Sequence, residues 1–141
     1  MASLIVNQGL QRIATNASAV GTSPGSALST ARWFQTMSVD DATGAFVAAN
    51  TKLNDGAGFT QEFDALLDAT PTLAGQTATH IMTIPTGSGN FTIRRVALHD
   101  DTATNVTSSS NTLACGVDNQ SLTKTSDFSL TITLRITYTS I

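Results

Sequence analysis

The stretch DFSLTITLRITYTS, Asp127 to Ser140, carries an apolar side chain at every even position from Phe128 to Tyr138: Phe128, Leu130, Ile132, Leu134, Ile136 and Tyr138. Ser, Thr or Arg fills each odd position between them. Successive side chains of an extended backbone point to opposite faces, so a period of two predicts a β-strand with one apolar and one hydroxyl-bearing face. At ~3.4 Å per residue the span reaches about 35 Å, longer than most globular strands. Its apolar face belongs on a core, and at a sheet edge its free N–H and C=O groups invite pairing with another chain.

The rest of the chain agrees with a β-rich reading. Ser and Thr number 38 of the 141 residues, while charged residues make up only 12%. Thr is β-branched and suits a pleated surface, so the outer faces of the strands are expected to carry hydroxyls in place of ions. The seven basic residues are scattered, the only doublet being Arg94-Arg95, and the net charge is -3. That balance points away from a nucleic-acid partner and from a polybasic membrane contact. No apolar run approaches the ~20 residues of a membrane-spanning helix. The start MASLIVNQ has no basic region ahead of its short apolar run, so no signal peptide is expected. The single Cys115 excludes an intrachain disulfide and fits folding in a reducing cytoplasm.

Organisation follows from spacing. One domain is expected over residues 1–141, with a helix and flexible arm over 1–30 and a β-rich body over 31–141. Val6, Leu10, Ile13 and Ala17 follow 3-4 spacing and predict a helix from Leu4 to Ala17, capped by Ser3. Thr15 to Thr30 is a small-residue segment without periodicity, suited to an arm. Ala31 to Val39 reads as a strand with Trp33, Met37 and Val39 on one face. Asp40-Asp41 then offers the acidic N-terminus of a helix carrying Phe46, Ala49 and Leu53 inward. A second helical turn is predicted from Gln61 to Leu67, with Thr60 as cap and Phe63, Leu66 and Leu67 inward.

From Thr77 onward strands and turns take over. TATHIMTI places Ala78, His80, Met82 and Ile84 together, and Pro85 to Gly89 is a turn with glycines available for positive φ. In FTIRRVALH the apolar positions switch parity between Ile93 and Val96, which predicts a β-bulge at Arg94-Arg95. TLACGV is a strand with Leu113, Cys115 and Val117 aligned, and Asp118-Asn119 starts the turn before the final strand. The expected architecture is mainly β: an antiparallel β-sandwich or compact sheet domain with one to three short peripheral helices. Its second half is expected to form a meander of about four strands.

Candidate chemistry is sparse. His99-Asp100-Asp101 is the most site-like cluster and would suit a metal-dependent hydrolase, but His80 is the only other histidine and no HxH or CxxC spacing is present. Cys115 alternates with apolar neighbours and reads as a buried thiol. The Gly87 to Asn90 stretch is followed by a strand, whereas a phosphate loop needs a following helix. A carbohydrate-binding sandwich would want exposed aromatics, and most of the eight present sit at inward-looking positions. No catalytic, cofactor or metal residues are assigned, and no enzymatic activity is expected.

One stretch carries a resemblance. NFTIRRVALHD, Asn90 to Asp100, resembles a segment of the tail-collar and tail-fibre attachment domains of tailed bacteriophages. There a strand of the form F-x-I-x-E-(I/V)-G-L-(F/Y)-D precedes a short loop, a strand like L-x-A-x-G, and a closing alternating strand. Phe91, Ile93, Val96, Leu98 and Asp100 match, followed by Leu113, Ala114 and Gly116, then Phe128 to Tyr138. Arg95 stands where the family tends to have Glu, Ala97 where it has Gly, and His99 where it has an aromatic. The opening SLIVNQGLQRIA is also similar to the starts of small phage structural proteins.

The resemblance implies a virion structural protein made in the cytoplasm of a bacterial host. It would act as a tail-fibre adaptor or appendage-base subunit, or else as a decoration protein on the head lattice. Expected partners are copies of itself, as a homo-oligomer and by family habit a trimer, and other phage proteins of the tail, fibre or major capsid. Nucleic acid and membrane are not expected partners. The residues expected to form its interfaces are Arg94, Arg95, Phe128, Leu130, Ile132, Leu134, Ile136 and Tyr138, the arginines because Arg is favoured at subunit contacts.

Overall fold

A computed structural model describes residues 3–5, 34, 36–51, 53, 58–69, 71–74, 76–99 and 113–137. The regular structure of these residues is all strand: β1 (Ser3–Ile5), β2 (Thr36–Asp40), β3 (Glu62–Leu66), β4 (Thr72–Ala74), β5 (Thr77–Ile84), β6 (Thr92–Ile93), β7 (Arg95–His99), β8 (Leu113–Val117), β9 (Leu122–Thr123) and β10 (Leu130–Thr137). They form a five-stranded sheet in the order β1-β8-β7-β2-β3, a three-stranded sheet β10-β5-β4, and the small pair β6-β9. Every pairing is antiparallel.

The opening stretch supplies β10, eight residues long, with Leu130, Ile132, Leu134 and Ile136 half-buried and the odd positions exposed. It pairs with β5 over its whole length, from Leu130 opposite Ile84 to Thr137 opposite Thr77, without a register shift. Its apolar row therefore continues that of β5. Phe128 lies before the strand and is exposed, so the strand is shorter than its alternation suggests. Tyr138 lies outside the described residues.

The central strands β2, β7 and β8 are buried at every position. A strand reads this way only when both faces of its sheet are covered. On one face Met37, Val39, Val96, Leu98 and Cys115 join Met82 and Ile84 of β5 in one apolar cluster, with Leu130, Ile132, Leu134 and Ile136 of β10 packed against it. That cluster thus draws on both larger sheets. On the other face Phe46 and Leu53 close over Ala97 and Leu113, with Phe59 alongside. Full burial of a side chain such as Leu98 or Ile84 contributes about 1.5–3 kcal/mol.

Three expected elements are replaced. Ser3–Ile5 is a strand paired with β8, not the start of a helix; the rest of the expected helix, the 15–30 arm and the loop from Asp100 to Asn111 lie outside the described residues. The segment after Asp40 is irregular. Its acids do not cap a helix: Asp41 Oδ1 accepts from the backbone N–H groups of Thr60 and Gln61, tying the ends of the loop together. The turn predicted from Gln61 to Leu67 is β3, held against β2 from Asp40/Glu62 to Thr36/Leu66. Phe63 and Ala65 pack on the core while Leu66 is half exposed.

The parity switch is real but has another origin. Arg94 separates β6 from β7, which belong to different sheets, and both Ile93 and Val96 reach the same apolar cluster. The Arg94 N–H donates to Asp40 O at 2.7 Å, and its carbonyl accepts from the Gln120 N–H at 2.9 Å. The chain crosses between sheets there. The irregular register sits further on, between Leu98 and His99, where Leu98 faces Cys115 and His99 faces Leu113, leaving Ala114 extra. Nor is the second half a meander: β5 neighbours β10, and β7 neighbours β8, in separate sheets.

Candidate functional site

Two places gather the residues singled out in the sequence: the covered polar face of the five-stranded sheet and β10, which ends its sheet among the described residues.

On the covered face the register brings Thr36, Ser38 and Asp40 of β2 beside His99, Ala97 and Arg95 of β7, and beside Leu66, Asp64 and Glu62 of β3. Arg95, expected at a subunit interface, is instead an interior residue, 1% exposed. Its Nε donates to Asp40 Oδ1 at 2.9 Å and its Nη2 to Asp40 Oδ2 at 2.7 Å. Nη2 also reaches Leu53 O and Nη1 reaches Gly44 O, while the Phe46 ring lies 4.6 Å from the guanidinium carbon. The arginine thereby fixes the covering loop onto the sheet. Asp118 Oδ2 accepts from the Phe46 N–H at 3.0 Å and adds a second fastening.

His99 lies in the same layer, fully buried, and its Nε2 shares a 2.7 Å hydrogen bond with Ser38 Oγ. Burial pulls its pKa down to about 3, so the ring stays neutral at physiological pH. Asp100 and Asp101 lie outside the described residues. The His99 nitrogen is thus held by a serine inside the sheet, and among the described residues no group of three His, Cys, Asp or Glu is placed to hold a metal ion. Cys115 is buried on the opposite face, where loss of hydration pushes its thiol up to about 12. A thiol so protonated is a poor nucleophile.

At the margin of this face stand Glu62 and Asp64. Glu62 Oε2 and Asp64 Oδ2 are closed off from water and have no hydrogen-bond partner among the described residues. Burial raises both pKa values, and for Glu62 the neighbouring charges of Asp64 and Asp40 add to the rise. Neither acid was marked by its spacing in the sequence. The helical spacing of Phe63, Leu66 and Leu67 predicts a helical turn there, which scatters residues two apart onto different faces.

β10 is the second place. β5 lies along one side of it, and no described strand lies along the other. Its outward row is Thr131, Thr133, Arg135 and Thr137, all exposed. Thr83 with Thr131, and Thr77 with Thr137, share hydroxyl hydrogen bonds of 3.2 and 2.9 Å across the pair. Arg135 stands opposite Thr79. Arg94 is half-buried at the crossing between sheets, and the Phe128 ring lies 5.8 Å from Lys124 Nζ. Of the interface residues expected from sequence, Leu130, Ile132, Leu134 and Ile136 lie half-buried on β10 against the apolar cluster, Phe128 is exposed ahead of the strand, Arg94 is half-buried, Tyr138 lies outside the described residues, and Arg95 lies inside.

Among the described residues no helix is long and apolar enough to cross a membrane. No family model, curated protein or solved structure matches the chain.

Proposed function

We propose that this chain is a non-enzymatic structural subunit that works by self-association, and that it belongs to the particle of a tailed phage as a fibre adaptor or appendage-base component. In that reading the two larger sheets form a β-sandwich and β10 borders it. The observation that carries self-association is the β10 edge. Among the described residues these eight pair along one side only, in an unbroken register, with no proline, glycine or bulge and a single charge, Arg135. Monomeric proteins usually guard such an edge with several of those devices, because its free backbone groups pair readily with another strand. The chain's 12% charged residues and Thr-lined outer row also suit a surface that packs against a neighbour.

The phage assignment rests on the resemblance of Asn90 to Asp100 and the strands after it. The native mass of the full chain tests the first half: an oligomer is expected, and a monomer at tens of micromolar overturns it. Antibody labelling of purified phage particles tests the second. Label at a fibre base or tail is expected, and label spread over the head lattice replaces the adaptor role with a decoration role.

A further inference from the structure

We infer that copies associate head to tail, the β10 edge of one adding to the β3 edge of the next, with Arg135 facing Glu62 and Asp64. This rests on the reading of the chain as a self-associating subunit and specifies how it does so.

β3 and β10 each end a sheet among the described residues. The two edges differ in charge: the outward row of β10 has Arg135 as its only charge, and β3 carries Glu62 and Asp64. Their faces match as well. On β10 the even residues Leu130 to Ile136 pack on the apolar cluster, as Phe63 and Ala65 of β3 do. Glu62 and Asp64 point to the other side of β3, and Arg135 to the other side of β10.

Residues directly opposite in a ladder share a face. Any pairing of β10 with β3 that continues the apolar surface therefore puts Arg135 on the same side as Glu62 and Asp64. A slip of one residue breaks both matches at once. A guanidinium arriving there comes beside the partly exposed Glu62 and Asp64 side chains, whose Oε2 and Oδ2 have no hydrogen-bond partner among the described residues.

The competing arrangement, β10 on β10 across a two-fold axis, does less. Registers that keep the apolar rows together pair odd residues with odd. One centred on Arg135 sets like charges opposite each other, and the others place Arg135 against threonine. All of them leave the β3 acids as they are. A head-to-tail contact uses two different surfaces, so it builds a ring or an open chain, whereas a two-fold contact stops at a dimer.

The test is sedimentation or native mass measurement of the full chain and its variants. Wild type is expected to assemble beyond a dimer. Arg135→Glu is expected to weaken association about tenfold or more, with the unfolding temperature of the subunit unchanged because the residue is exposed. Adding Glu62→Lys and Asp64→Lys to that variant is expected to restore assembly. A separate measurement does not depend on how the triple variant folds: Arg135→Cys chains mixed with Asp64→Cys chains are expected to form a mixed disulfide on oxidation. A wild-type monomer overturns self-association itself. A wild-type dimer, an oligomer indifferent to Arg135→Glu, or Arg135→Cys chains that cross-link only to one another overturns the head-to-tail pairing and leaves self-association standing.

Discussion

Arg95 and Asp40 face each other across β7 and β2, joined by bonds of 2.9 and 2.7 Å, with side chains 1% and 0% exposed. The arginine also contacts Leu53 O, Gly44 O and the Phe46 ring, which belong to the covering loop. Removing one partner takes the counter-charge away from the other, which stays buried. Asp40→Ala is expected to lower unfolding free energy by about 3–5 kcal/mol in urea titration. Replacing both, as Asp40→Leu with Arg95→Met, is expected to cost much less than the two single changes summed. Simple additivity would mean that the pair does not act as a unit.

Gly116 marks a close approach. A Cβ there would lie 2.4 Å from two atoms of the Phe46 ring, so the ring would have to leave its seat over β7 and β8. Gly116→Ala is therefore expected to destabilise by about 1–3 kcal/mol, and also to free the 41–53 loop. Faster amide exchange at Phe46, whose N–H is bound to Asp118, checks the second effect. Phe46→Leu in the same chain is expected to recover part of the loss. Exchange that stays slow in Gly116→Ala would place the ring's anchorage elsewhere.

How much was legible depended on whether the deciding partner was near in sequence. Alternation in β5 and β10 reported an element with one wet face, and it holds residue by residue over eight register pairs. β3 failed because Phe63, Leu66 and Leu67 fall at helical spacing while the pull of β2, from residues 36 to 40, is invisible locally. Pairing overrode that spacing and left Leu66 half exposed. Asp40 looked like a cap for the same reason: its arginine is 55 residues away. The parity fault at Arg94 predicts a bulge, whereas the chain crosses there between sheets, and only the partners of β6 and β7 tell the two apart. The two edges split the same way: the alternation of β10 is legible in the sequence, and the strand that carries Glu62 and Asp64 is not.

Cys115 offers a probe of opening. It is buried opposite Leu98 in the middle of the five-stranded sheet, and its thiol is held far above neutrality. Reaction with a soluble disulfide reagent at pH 8 is expected to be much slower than for a free thiol. Its rate is expected to rise with urea in step with global unfolding, because exposing a central strand requires opening both covered faces. A fast reaction in the native protein, insensitive to urea, would show that β8 opens locally.

Acid is expected to destabilise the fold through two histidines. His80 sits in the apolar row of β5, 2% exposed, its ring centroid 5.5 Å from that of Phe34, and its Nδ1 has no hydrogen-bond partner among the described residues. Burial lowers its pKa, and burial takes that of His99 to about 3. A group whose folded pKa is depressed contributes stability that is whole above its unfolded value, ~6.5, and is lost as pH falls toward the folded value. Each histidine then removes about 1.4 kcal/mol per pH unit inside its window. Glu62 and Asp64 act oppositely: their raised pKa values give stability that is whole below the ordinary carboxyl range and lost as pH rises through the raised values. These acids are partly exposed and screened, whereas the histidines are buried, so the net slope below pH 6 is expected to follow the histidines. Urea midpoints at pH 7.5, 6.0 and 5.0, taken in the Arg135→Glu background so that assembly does not contribute, should fall steadily. His80→Leu should flatten the curve and raise the midpoint at pH 5.0, since it removes the buried group whose protonation the fold opposes. An unchanged slope in that variant would show that His80 is protonated within the fold.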